Sequence, residues 1–189
     1  DVYKRQVYRG PMSASKLARP ALDYKDSFLA ALAEFRAESL YDFVDVAETS
    51  KDFKGFVDRL NAGARLLHHP APDWLEPVPE TLLWLVKDED FIGTLHIRHR
   101  LNWHLERWGG HMNFAIRPSW RGKGFGKKLL RKALPAAAAL GVERALLTVR
   151  PGNAAGIHVI EDCGGVFADE TDATERFPAR RRYWIECVR

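Results

Sequence analysis

The sequence predicts a mixed α/β fold: a mostly antiparallel central sheet of about six or seven strands with about four main helices. Three observations predict it. Two strand-like apolar runs, 81–87 and 91–98, are separated only by Asp88-Glu89-Asp90, which marks an antiparallel hairpin. Residues 110–140 read as a strand, a glycine-rich turn and a long helix. Further strands and helices then alternate to the end of the chain.

The elements follow in order. Residues 1–15 show no periodicity and are expected to be an N-terminal extension, with residues 16–189 forming a single domain. The chain opens without methionine, Met12 is an expected start, and Asp1 to Gln6 are set aside from the fold. Residues 18–22 hold a short first strand. Residues 24–38 form an amphipathic helix with Phe28, Leu29, Leu32 and Phe35 on its apolar stripe and Asp23 or Asp26 at its start. A connection follows over 39–49. Ser50 is expected to cap a second helix bearing Phe53, Phe56, Val57 and Leu60, with Gly63 near its end. Residues 66–80 carry Pro70, Pro72, Pro77 and Pro79 and read as a loop. The hairpin comes next, then a short helical excursion over 101–107 before Gly109 and Gly110. In the long helix, Leu129, Leu130, Ala133, Leu134, Ala137 and Leu140 recur at helical spacing. Pro135 is expected to kink or break it, and Gly141 to close it. A strand over 145–149, a helix over 154–162 capped by Asn153, a strand from Val166, an acidic loop over 169–176 and a strand over 181–188 complete the order.

At 189 residues the chain suits one domain with a real core. No apolar run approaches the roughly 20 residues of a membrane span, so no membrane partner is expected. The charged start lacks the apolar stretch of a secretory signal, and Cys163 and Cys187 lie far apart without metal-type spacing. Reduced thiols, a cytoplasmic location and no metal are the expectations. A net charge of +4 is mild, so nucleic acid is an unfavoured partner.

The run Arg121-Gly122-Lys123-Gly124-Phe125-Gly126-Lys127-Lys128 carries the chemistry. Its glycines leave main-chain N–H groups uncovered where a helix begins, which suits a phosphate. Arg121, Lys123, Lys127 and Lys128 add mobile positive charge. The run lacks the Gly-Lys-Ser/Thr closure of a Walker loop. Nor does it have the spacing and early position of a dinucleotide fingerprint.

Arg121-x-x-Gly124-x-Gly126 resembles the acyl-CoA loop of the GNAT N-acetyltransferases. The preceding strand, 112–117, and the segment Asn153-Ala154-Ala155-Gly156 through Gly164-Gly165 resemble two further blocks of that family. The closing Arg181–Ile185 run and the His99–His111 region resemble a subgroup of predicted acetyltransferases. The resemblance covers residues 18–189 and implies a sheet splayed between its fourth and fifth strands. It further implies acetyl-CoA as cosubstrate, its pantetheine arm paired with main-chain groups of Phe114, Ala115, Ile116 and Arg117. The amides of Arg121, Gly122, Lys123, Gly124, Phe125, Gly126 and Lys127 would hold the pyrophosphate. Asn153 would touch the cofactor, or serve only as a helix cap, or both. Two positions depart from the pattern. Ile160 stands where many members carry a tyrosine that protonates the leaving thiolate, and Gly156 replaces a small hydroxyl residue or alanine.

The implied reaction is direct attack of an amine on the thioester in a ternary complex. Freeing an alkylamine of its proton at pH 7 costs about 4–5 kcal/mol, which calls for a general base. His111, His96, His99 and Glu106 are candidates, with His111 and Glu106 foremost and His158 behind them. A fourth-strand N–H would stabilise the oxyanion. Asp42, Asp45 and Glu48, with Asp169, Glu170, Asp172 and Glu175, either draw a cationic acceptor, a small amine or a peptide amine, or are merely solvated. Dimers are common among proteins of this kind, so a homodimer is expected. The competing readings are a non-catalytic acyl-CoA-binding module, which Ile160 favours, and a basic nucleic-acid-binding domain, which lacks the aromatic platform for single strands.

Overall fold

The computed structural model describes residues 14–68 and 75–187. Pro70, Pro72, residues 1–13 and the final two residues lie outside the described ones.

The chain begins with β1 (Lys16–Ala18), earlier than the expected 18–22. Pro20 explains the shift: with no N–H it cannot continue a ladder, and the chain bends into a 3-10 turn over Leu22–Tyr24. Helix α1 (Lys25–Arg36) buries Phe28, Ala31, Leu32 and Phe35, close to the stripe read from the sequence. Neither Asp23 nor Asp26 caps it, because the N-cap position falls on Tyr24.

The single helix expected after Ser50 is two. α2 (Val46–Lys51) is capped by Asp45, whose side chain accepts from Glu48 N–H. α3 (Phe53–Asn61) is capped by Asp52, which accepts from Gly55 N–H. Ser50 lies inside α2. Asp52, at φ −121° and ψ 57°, breaks the helical path so that its carboxylate can reach the next free N–H.

β2 (Glu80–Lys87) and β3 (Asp90–Arg98) form the antiparallel hairpin, with Leu83 opposite Leu95. A π-helical turn over Leu105–Gly109 leads to β4 (Met112–Ile116). A 3-10 turn, Pro118–Trp120, and the glycine turn lead to α4 (Phe125–Ala139), which runs through Pro135 uninterrupted. β5 (Arg144–Val149), α5 (Ala154–Asp162), β6 (Val166–Thr171) and β7 (Arg180–Glu186) follow. β6 takes in the first three residues of the expected acidic loop. Its side chains are nearly all exposed, so charged residues fit a strand that no apolar alternation betrays.

The strands form two hydrogen-bonded groups, β1-β2-β3-β4 and β5-β7-β6, and every pairing within them is antiparallel. Alternation along β2 divides the core. Leu85 faces the layer under α4 with Ile92, Leu95, Leu129 and Leu130. Trp84 and Val86 face α1 and α3, where Phe28 stacks on Trp84 at 4.7 Å.

Leu130 is fully buried at the centre of the α4 layer. Leu130→Ala is expected to lower unfolding stability by about 2–5 kcal/mol in urea titrations, through lost burial and the cavity left behind.

Candidate cofactor site

The site begins where the two sheets touch. His111 N–H donates to Leu146 O at 2.7 Å, and Leu146 N–H donates to His111 Nδ1 at 2.9 Å. Gly110 allows the approach. Its φ is +67°, and a Cβ there would sit 2.5 Å from Leu146 O. Arg98 braces the same corner by donating to Gly109 O and Gly110 O. Beyond this contact no ladder joins β4 to β5 among the described residues, so the sheet is splayed where the resemblance implied.

The open edge of β4 follows from its other side. Arg98 N–H bonds His111 O and Arg117 N–H bonds Ile92 O, so the odd-numbered residues of β4 face β3. Ladder alternation turns the main chain of Met112, Phe114 and Ile116 toward the gap. Ala115 and Arg117 spend their main-chain groups on β3. The Arg117 side chain is also engaged: its guanidinium bonds Glu34 at 2.7 Å and reaches Ser27 on α1.

Past β4 the chain turns twice into positive φ, at Gly122 (+70°) and Gly124 (+79°). Arg121 N–H turns back to Pro118 O, and Lys128 N–H is the first of α4 to find an acceptor, Gly124 O. Between them, the N–H groups of Gly122 to Lys127 donate to no acceptor among the described residues. The side-chain cations are less mobile than the sequence suggests. Arg121 donates to Ile116 O and Glu38, and Lys123 to Ser119 O. Lys127 pairs with Asp162 of α5. The grip on an anion is therefore mostly main chain, at the positive end of a 15-residue helix.

A family model for the GNAT acetyltransferases matches residues 39–164. The chain belongs to the GNAT acetyltransferase family. A search of curated sequences finds no match. Among solved structures the fold resembles the microcin C7 self-immunity acetyltransferase MccE in complex with acetyl-CoA and AMP. That match has 12% identity and a TM-score of 0.62 over 91% of this chain and 92% of that one. It also resembles RimJ of Mycobacterium smegmatis in complex with CoA-disulfide, at 16% identity and TM-score 0.64, over 91% and 81%. A third is a Vibrio cholerae and human spermidine N-acetyltransferase chimera, at 16% identity and TM-score 0.57, over 92% and 96%. Identities this low speak for the fold. Family membership carries the reaction class, acetyl-CoA-dependent N-acetyl transfer.

The remaining residues singled out in this GNAT chain fall as follows. Asn153 caps α5, with its Oδ1 accepting from Gly156 N–H at 3.0 Å. Ile160 is buried in the α4 layer, so its side chain serves packing. His158 is exposed and lies 3.2 Å from Lys127 Nζ. Asp42 and Asp45 border an open cleft of about 590 Å³ beside α2. Asp45 is partly spent as a cap. Asp169 and Glu170 pair with Arg182 and Arg181.

The base candidates separate. His111 is a strut: its Nδ1 accepts from Leu146, so the neutral ring carries its proton on Nε2. Burial, with Arg98 nearby, lowers its pKa to about 4. A ring that is neutral at pH 7 and uses its lone pair inside the sheet is poorly placed to take a proton from an amine. Glu106 lies exposed on the π-turn, and its carboxylate bonds no described residue. His99 Nε2 is held by Thr81 Oγ1 at 2.8 Å, and His96 Nδ1 by Glu80 at 2.9 Å. Periodicity could not show these attachments, because each partner lies on another element.

His111 also makes stability depend on pH. Below its ordinary value of about 6.5 the unfolded chain binds a proton that the folded chain refuses until about 4. Folding stability is expected to fall as pH drops through that window. Urea midpoints taken stepwise should show the decline, and His111→Asn should make it shallower without removing it, because burial also lowers the pKa of His96 and His104.

Proposed function

We propose that the chain transfers an acetyl group from acetyl-CoA directly to a primary amine of a cationic acceptor, within a ternary complex. The observation that carries this reading is a pair of neighbouring sets of unpaired main-chain N–H groups, one on the open edge of β4 and one at the turn that starts α4. The turn over Gly122 to Lys127 offers donors for a pyrophosphate. Phe114 and Ile116 offer an extended edge to an amide-containing arm. The N–H of Phe114 then serves the oxyanion of the tetrahedral intermediate.

Glu106 acts as general base through water, its exposed carboxylate on the π-turn that packs against β5 and β7. The amine attacks the carbonyl carbon, its proton passes to Glu106, and the C–S bond breaks. The CoA thiolate leaves unassisted, because the buried Ile160 has no proton to give. A thiol pKa of about 8.5 makes that tolerable.

The acceptor enters on the α1–α2 side. Asp42, Asp45 and Glu48 supply negative charge there, whereas arginines already neutralise Asp169 and Glu170. A spermidine N-acetyltransferase among the similar structures supports a polyamine-like acceptor or a basic peptide amine. A cytoplasmic setting and a homodimer belong to the same reading. Among the described residues no helix is long and apolar enough to cross a membrane, and Cys163 and Cys187 are both free thiols.

Thiol release from acetyl-CoA, measured across neutral and cationic amines, tests the proposal. Cationic amines are expected to react faster. Equal rates would remove the acceptor preference, and no release with any amine would favour a binding module. Glu106→Gln is expected to lower kcat by about 10²-fold. Gly124→Ala, strained at φ +79°, is expected to raise KM for acetyl-CoA by about tenfold.

A further inference from the structure

Three side chains from separate elements meet on the far side of β3 from the splay. His68 follows α3, Glu80 opens β2 and His96 stands near the end of β3. His68 Nε2 lies 2.6 Å, and His96 Nδ1 2.9 Å, from the same oxygen, Glu80 Oε1. The three donor atoms all fall within 4.8 Å of one another. Their side chains are 11%, 12% and 4% exposed for His68, Glu80 and His96. They border a cavity of about 340 Å³ whose walls also include Arg65 and His99. Glu80 Oε2 is buried without a hydrogen bond, facing Arg98 Nε at 3.3 Å.

We propose that His68, Glu80 and His96 form a divalent-cation site of the zinc type, with its fourth position open to the cavity. Two imidazoles and a carboxylate make one of the three-ligand sets that zinc takes when one coordination position is kept for water or another ligand. Zinc sits about 2.0–2.1 Å from such atoms, which places tetrahedral ligands roughly 3.3 Å apart. Reaching that spacing moves each imidazole nitrogen away from Glu80 Oε1 by less than about 1 Å. Each neutral ring then carries its proton on the other nitrogen and turns a lone pair to the ion. Arg98 stays on the second carboxylate oxygen and holds Glu80 to one-oxygen ligation. Its positive charge also opposes the ion, so the site is exchangeable rather than a permanent structural zinc. Nothing in this site depends on the acetyl-transfer reading.

The test is titration of the untagged, chelator-treated full chain with zinc chloride by calorimetry, with circular dichroism as a check on folding. One zinc per chain is expected. Affinity should fall at least about tenfold in His96→Ala and in Glu80→Gln, and stay unchanged in His158→Ala, which removes an exposed imidazole elsewhere. If His96→Ala fails to fold, His68→Gln, at the cavity wall, decides in its place with the same expected loss. Absence of saturable binding to the unaltered chain would overturn the proposal. So would equal affinity in the folded variants.

Discussion

Two hydrogen bonds between His111 and Leu146 decide where one sheet becomes two. They clasp β4 to β5 at a single point, and Gly110 and Arg98 hold that point closed. Above it the strands part. A gap edged by main-chain groups without protein partners favours an occupant that can pair with them. On the proposed reading, a flexible chain of amides ending in a diphosphate would occupy both halves of the opening. Loosening the clasp would let β4 close on β5 or drift from it, and either movement would remove the slot.

The glycine turn is the second half of that arrangement, and its main chain matters more than its lysines. Glu34 shows how it is fixed. Its carboxylate accepts from Ser119 N–H and Ser119 Oγ and pairs with Arg117. Desolvation by burial works against the ionised form, but these bonds outweigh it and hold the pKa below the usual carboxylate range. The turn is thus fastened from the α1 side before any ligand arrives, which reduces the ordering cost of binding.

The sheet hairpin, α4, α5 and the glycine turn were legible because each rests on local pattern: apolar periods of two or 3.6, or glycine at a forced turn. The errors share a different cause. A helix start depends on which carboxylate reaches a free N–H, and in 46–61 Asp45 and Asp52 both do so, where Ser50 was expected. β6 was missed beyond Ala168 because an exposed strand needs no apolar face. His111 looked like a base because nothing local reveals that Leu146, 35 residues away, takes its lone pair. The His68–Glu80–His96 group was invisible for the same reason, since the β2–β3 register and the segment after α3 assemble it from three places in the chain. Residue types were readable; the partners that set their protonation were not.

The ties from α1 to the turn have a mechanical meaning. Glu34 grips Arg117 and Ser119, and Glu38 grips Arg121, so the helix and the bend behave as one lever. A molecule settling against α1 would tilt that lever and shift the amides at its other end. Occupancy of one end of that lever would then be felt at the other before any two ligands meet.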